Sequence, residues 1–337
     1  MSANPSSLIL PPRHFNTSGD PRRVGFEFEF AGVGLETTAV LIKELYGGEV
    51  RFGGAFQCEV RETELGSFAV ELDARALKDR AYLQFLQRVG IDLERDERDW
   101  LDHVLARLAA TVVPHEVVCP PVPLDQAHRL EELREALRRA GAQGTHAAVH
   151  YAFGLHINAE AADLEAGTVV GVLKAYLLLR DALRRFGATD LSRRLSQFIK
   201  DFPEPYARQV IDPDYWPDRP ALMQDYLAAN PTRNRALDLL PLFAEIDRDA
   251  LPPVLRDDPL VKARPAFHYR LPNCAVDEPD WSLGREWRHW VGVERLAEDR
   301  EALQQLGAEY LDRRNEPLTG IHAAWALETG PWLTGDR

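Results

Sequence analysis

The segment Val24-Gly25-Phe26-Glu27-Phe28-Glu29-Phe30 alternates strictly. Successive side chains of a β-strand point to opposite faces. Val24, Phe26, Phe28 and Phe30 therefore share one face, and Gly25, Glu27 and Glu29 share the other. This is the pattern of a half-buried strand, which commits the chain to a sheet with one side against a core. On the other side, two carboxylates at i and i+2 stand about 6.6–6.8 Å apart. That spacing is too wide to share a proton and well suited to holding a metal.

Three more segments are built the same way. In residues 68–73, Phe68, Val70 and Leu72 oppose Glu71 and Asp73. In residues 149–158, Tyr151, Phe153, Leu155 and Ile157 oppose Ala152, Gly154, His156 and Asn158. In residues 264–271, Phe267, Tyr269 and Leu271 oppose Arg264, Ala266, His268 and Arg270. Residues 56–61 and 115–118 add two shorter strand candidates. Helical spacing is expected over residues 36–46, stopped by Gly47-Gly48, and over 75–90, 96–112 and 124–140. A long helix is expected from an Asp163 N-cap to Phe186, apolar around much of its girth and so a central packing element. Residues 189–260 read as helical pieces broken by prolines. The remainder, with Trp281, Trp287, Trp290 and Trp325, is mainly helical, and its tryptophans suit a core or an interface between copies. Helices mixed with separated strands indicate an α+β fold rather than a βαβ parallel sheet.

Composition narrows the function. The 337-residue chain can bury a large core, and its formal net charge of -13 argues against a broad nucleic-acid surface. Cys58, Cys119 and Cys274 give neither a disulfide framework nor a zinc pattern, as expected in a reducing cytoplasm. Cys274 has no local activating partner in sequence and reads as a structural thiol rather than a nucleophile. The N-terminus lacks a signal-peptide core, and residues 168–179 are too short and charged to span a bilayer, so no membrane role is expected.

The four polar faces define the chemistry. Glu27, Glu29, Glu71, Asp73 and His156 are oxygen-rich ligands with one imidazole, a set suited to Mg²⁺ or Mn²⁺. Arg264 and Arg270 supply planar forks for phosphate oxygens, and Asn158 and Lys200 are further candidate contacts. No GxxxxGK[ST] or GxGxxG occurs, so phosphoryl transfer here would proceed without a P-loop. A metal-dependent phosphohydrolase and a non-catalytic nucleotide- or metabolite-binding protein are compatible with the same residues.

Five short motifs, in order, resemble the amidoligase family related to the glutamine synthetase/carboxylate–amine ligase superfamily. They are Arg23-Val24-Gly25-Phe26-Glu27-Phe28-Glu29-Phe30-Ala31-Gly32, Val70-Glu71-Leu72-Asp73, His115-Glu116-Val117-Val118-Cys119-Pro120-Pro121, Tyr151-Ala152-Phe153-Gly154-Leu155-His156-Ile157-Asn158 and Arg264-Pro265-Ala266-Phe267-His268-Tyr269-Arg270-Leu271-Pro272. The resemblance implies a curved, mainly antiparallel sheet with helices on its outer face. It also implies ATP, two or more Mg²⁺ ions, and an amide or peptide bond formed from a small-molecule or peptide carboxylate and an amine through an acyl phosphate. Glu27, Glu29, Glu116 and His156 become expected metal ligands, with Glu71 and Asp73 competing to join them. Arg264 and Arg270 become phosphate contacts. Glu27, Glu29, Glu116 and Arg270 are the expected catalytic residues. Glu59, Glu62 and Glu64 compete for the acidic position on the preceding hairpin. The expected organisation is an arm over residues 1–21, a catalytic domain over 22–295 and a helical extension over 296–337.

Overall fold

The computed structural model describes residues 8–54, 56–72, 115–147, 153–187, 199–313 and 321–335. Asp73, the helices expected over 75–90 and 96–112, and the first part of the strand expected at 149–158 lie outside those residues.

The alternating segment forms β1 (Arg23–Phe30), whose four large apolar side chains are fully buried. It lies inside a nine-stranded sheet with β2 (Glu49–Gly54), β3 (Gln57–Thr63), β4 (Gly66–Leu72), β5 (His115–Val118), β7 (Leu155–Glu160), β8 (Leu237–Asp238) and β9 (Ala266–Tyr269). The order is β2-β3-β4-β5-β1-β7-β9-β8, and β6 (Val122–Pro123) pairs with the start of β1. Every ladder between these strands is antiparallel. The fold is therefore α+β on a mostly antiparallel open sheet. β1, β4, β7 and β9, the strands with matching polar faces, come within five adjacent positions, with β5 supplying the remaining one.

Helices cover the apolar side. Tyr46 of α1 (Leu35–Tyr46) stacks on Phe68 of β4 at 5.4 Å between centroids. Tyr176 of α3 (Ala166–Phe186) meets Tyr269 of β9 at 6.1 Å, and Trp290 of α8 (Leu283–Glu298) meets the same ring at 5.3 Å. Burial runs almost unbroken from Val169 to Leu183, because α3 packs on helices as well as on the sheet. α1 stops at Gly47-Gly48, where a side chain on Gly48 would place its Cβ 2.3 Å from the Arg61 carbonyl oxygen at φ +89°.

Two expectations change and a third is narrowed. Asp163 does not cap α3. Its carboxylate is engaged by Arg13 and the Glu165 N–H, so the helix starts at Ala166 instead. The helix expected over 124–140 is shorter, α2 (Leu130–Arg139), preceded by a single 3₁₀ turn. The tryptophans are core rather than interface: Trp281, Trp287, Trp290 and Trp325 are buried, and their indole N–H groups reach Glu286, Ile9 O, Glu294 and Leu178 O.

His115 faces this core, its ring 6.3 Å from that of Phe30, and its buried Nδ1 has no hydrogen-bond partner among the described residues. Burial pushes its pKa down from 6.5 to about 4. As pH falls below 6.5 the unfolded chain takes up this proton first, so stability is full above 6.5 and drains as pH approaches 4. The displacement is worth about 3 kcal/mol. Urea unfolding of His115→Phe between pH 7 and 4 should show a slope shallower by that order. An unchanged slope would exclude His115 as the titrating group.

Candidate active site

Strand register assembles the polar face. Glu27 lies opposite His156 and Val118, Glu29 opposite Glu116, and Glu116 opposite Glu71. In the other direction Gly25 pairs with Asn158, Asn158 with His268, and His268 with Asp238. Partners in register share a face, about 4.5–5.5 Å apart at Cα.

His156 is the hub. Its Nδ1 lies 2.9 Å from Glu27 Oε2 and 3.8 Å from Glu116 Oε1, and its Nε2 lies 3.4 Å from Glu29 Oε1. Asn158 Nδ2 donates to Glu27 Oε1 at 2.7 Å, and the Gly154 N–H donates to Glu29 Oε2 at 2.6 Å. Both carboxylates are thus oriented while keeping lone pairs for a cation, since a carboxylate offers about four.

A second cluster adjoins this one. Arg264 precedes β9 and turns its Nη2 back to Asn158 Oδ1 at 2.8 Å and to His268 Nδ1 at 3.1 Å. His268 Nδ1 also lies 2.7 Å from Asn158 Oδ1. One ring nitrogen cannot accept from Arg264 and donate to Asn158 together, so the tautomer selects between these contacts. Arg270 reaches Asp238 Oδ2 at 3.4 Å, while Asp238 Oδ1 accepts the Leu240 N–H at the start of α6 (Leu240–Asp247).

Charge follows from packing. Burial opposes ionisation of Glu27, but the His156 hydrogen bond and the Arg264 charge outweigh it and hold the carboxyl well below its ordinary range. Burial, then the Arg270 charge, pushes His268 well below 6.5, leaving a neutral imidazole. Burial raises Asp238 against the pull of Arg270, and lowers Arg264.

The donor set fits divalent cations. Glu29, Glu116 and His156 bring ligand atoms within 4.8 Å of one another, and so do Glu27, His156 and His268. The first group is oxygen-rich and suits Mg²⁺ or Mn²⁺. The second has two imidazoles, which favour Mn²⁺ or a softer ion. A neutral imidazole has one lone pair, so His156 can serve only one ion at a time.

Of the expected residues, Glu27, Glu29, Glu116, His156, Asn158 and Arg264 come together, and Arg270 lies beside them against Asp238. Glu71 extends the row one strand outward, exposed and outside both ligand groups. Glu59 shares this face on β3. Glu62 sits in the bulge near the end of β3 with φ 59°, and Glu64 pairs with Arg129, so neither of these joins it. Lys200 is exposed and joined through its backbone to Asn234 and Arg235, and among the described residues its side chain makes no hydrogen bond or ion pair. Two residues join the site without having been singled out as ligands or contacts. His268 was visible in the alternation of residues 264–271. Asp238 sits on a two-residue strand with no periodicity to reveal it.

Asp238→Asn tests the support of Arg270. The amide keeps the Leu240 contact and removes the charge. The expected result is a substrate KM raised about tenfold with little change in kcat, on the scale of losses at supporting residues. An unchanged KM would disconnect Asp238 from the site.

Among the described residues, no helix is long and apolar enough to cross a membrane. No curated protein and no solved structure matches the chain. A family model does match, over residues 20–292, a span that takes in the whole polar face from Glu27 to Arg270. The chain belongs to the family described as putative amidoligase enzyme.

Proposed function

We propose that the protein is an ATP-dependent carboxylate–amine ligase, of glutamine synthetase/carboxylate–amine ligase type, that forms an amide or peptide bond through an acyl phosphate. The observation that carries this reading is the joining, on one sheet face of a family member, of the Glu27/Glu29/Glu116/His156 ligand cluster to Arg264 and Arg270.

Glu29, Glu116 and His156, or Glu27 with His156 and His268, would hold the divalent ions. Such ions, when bound, supply Lewis-acid stabilisation of phosphoryl oxygens. Arg264 and Arg270 would orient the nucleotide phosphates and neutralise charge developing on them. A substrate carboxylate oxygen bonds to the γ-phosphorus as the β–γ bridging P–O bond breaks and ADP leaves. The amine nitrogen then bonds to the acyl carbon as the C–O bond to phosphate breaks. The proton lost by the amine passes to a nearby carboxylate or to water. The acidic face would attract the amine as its ammonium form. Cys58, Cys119 and Cys274, all buried and none in a disulfide, suit a cytoplasmic setting for this reaction.

ADP release should require a carboxylate and an amine together, with the joined product identified by mass. Phosphate release that ignores the amine would instead establish a hydrolase and overturn the proposal. Because the Glu27 group contains two imidazoles, Mn²⁺ should support turnover at lower concentration than Mg²⁺. Equal requirements for the two ions would argue that His268 is not a ligand.

A further inference from the structure

The acidic cluster occupies only the middle of the polar face. Arg51 on β2 lies in register with Glu59 on β3, Glu59 with Ala69 on β4, Ala69 with Val118 on β5, and Val118 with Glu27. All five positions therefore face the same side as the catalytic carboxylates. Gln57 is likewise in register with Glu71, and Glu71 with Glu116. At the outer end of these rows Arg51, Gln57, Glu59, Arg61 and Glu71 line a cavity of about 240 Å³. Phosphoryl transfer at Glu27 and Glu29 makes no use of it.

The cavity is smaller than the roughly 300–1,000 Å³ that encloses a whole drug-sized ligand, so its size suits one end of a substrate. Two guanidiniums and two carboxylates line it. Arg61 pairs with Glu59 at 2.5 Å and Arg51 with Glu49 at 3.6 Å, with the arginine side chains 48% and 55% exposed. Ion pairs that exposed contribute only about 0–1 kcal/mol, so exchanging them for the charges of a ligand costs little. A balanced set of charges in a small space is complementary to a zwitterion. The guanidiniums match its carboxylate, the carboxylates match its ammonium, and the Gln57 amide can serve either.

The floor toward the reaction centre is made of Ala69 and Val118, both small and only half-buried. No large side chain in that row stands between Glu59 and Glu27. Three strand spacings separate β3 from β1, about 14 Å. A single amino acid cannot reach across that distance, whereas four or five extended residues can, at about 3.3–3.6 Å each. An ordinary peptide carries its ammonium and carboxylate at opposite ends. For the ammonium and carboxylate of a single α-carbon to enter the cavity together, the terminal residue must be linked through its side chain.

We propose that the β2–β4 cavity is a subsite for the free α-amino and α-carboxylate groups of a side-chain-linked peptide, whose far end reacts at Glu27 and Glu29. The subsite rests on the ligase reading for the identity of the reacting end. Binding of the zwitterionic head does not depend on it, and the test is chosen accordingly.

Calorimetric titration without nucleotide or metal, using γ-glutamyl-alanyl-glycine and its α-linked isomer, reads the subsite directly. The γ-linked peptide should bind at least about tenfold tighter than the isomer, and Arg51→Gln/Arg61→Gln should lose that margin, the scale of one lost charge-assisted hydrogen bond. The double variant should keep the melting temperature and the Mn²⁺-induced thermal shift of the parent, because neither arginine touches the core or the ligand cluster. Equal binding of the two isomers, no binding of either, or unchanged binding in the double variant overturns the subsite. Amine-dependent ADP release that is indifferent to both arginines would remove the subsite and leave the ligase. Head-group binding without ADP release under any substrate pair would do the reverse.

Discussion

Glu27→Gln should lower turnover on the order of 10³-fold, the scale seen when one preorganised electrostatic stabiliser is removed. Glu27 faces His156 across the β1–β7 ladder and also accepts a hydrogen bond from Asn158, so its position is fixed from two sides. Gln retains the volume and can still accept from Asn158, but it lacks the anionic oxygen needed to hold a divalent ion. The fold should persist with reduced stability, because the groups that hold Glu27 ionised lose their anionic partner. Loss of the Mn²⁺-induced thermal shift should accompany loss of turnover, with the metal-free melting temperature lowered. Glu64→Gln, a surface change in the pair with Arg129, should leave all three unaffected. Parent-like turnover and metal response in Glu27→Gln would remove the site assignment altogether.

Glu294→Ala should have the largest effect on stability, about 3–5 kcal/mol, because it strands a buried cation. Arg22, at the entry to β1, places Nη1 and Nη2 each 2.7 Å from a Glu294 oxygen on α8, and both side chains are nearly inaccessible. Trp290 Nε1 donates to the same carboxylate at 2.6 Å. One substitution therefore leaves the guanidinium without a counter-charge, held only by the Glu160 and Arg13 carbonyls, and the indole N–H without its acceptor. Replacing both charges, as in Arg22→Met/Glu294→Leu, should recover most of the loss. Urea unfolding at pH 7 measures both variants. A loss below about 1 kcal/mol in the single variant would show that water reaches the pair.

The α+β class, the central strand and the aromatic side of the sheet were legible because alternation reports burial directly. Phe26, Phe28 and Phe30 had one face available to them, and Glu27 and Glu29 were left with the other. β2 was not legible. Nearly all its residues are exposed, so it carries no contrast between faces. β8 has two residues, too few for any period to appear. The start of α3 was misplaced because Asp163 is a good cap in isolation, and only the tertiary structure brings Arg13 to compete for it.

The candidate site divides along the same line. By itself the sequence determined which side chains share a face of their own strand, since that depends only on the period of two. It therefore determined that carboxylates, an imidazole and arginines are presented on faces opposite the core, and its ordered motifs gave the family. Which strands become neighbours, and in what register, was decided by tertiary structure alone. Inserting β5 between β4 and β1 set Glu116, rather than Glu71, against Glu29 and His156. Pairing β7 with β9 brought His268 to Asn158, and pairing β9 with β8 put Asp238 behind Arg270. Pairing is settled by long-range packing and loop closure, which no local period encodes.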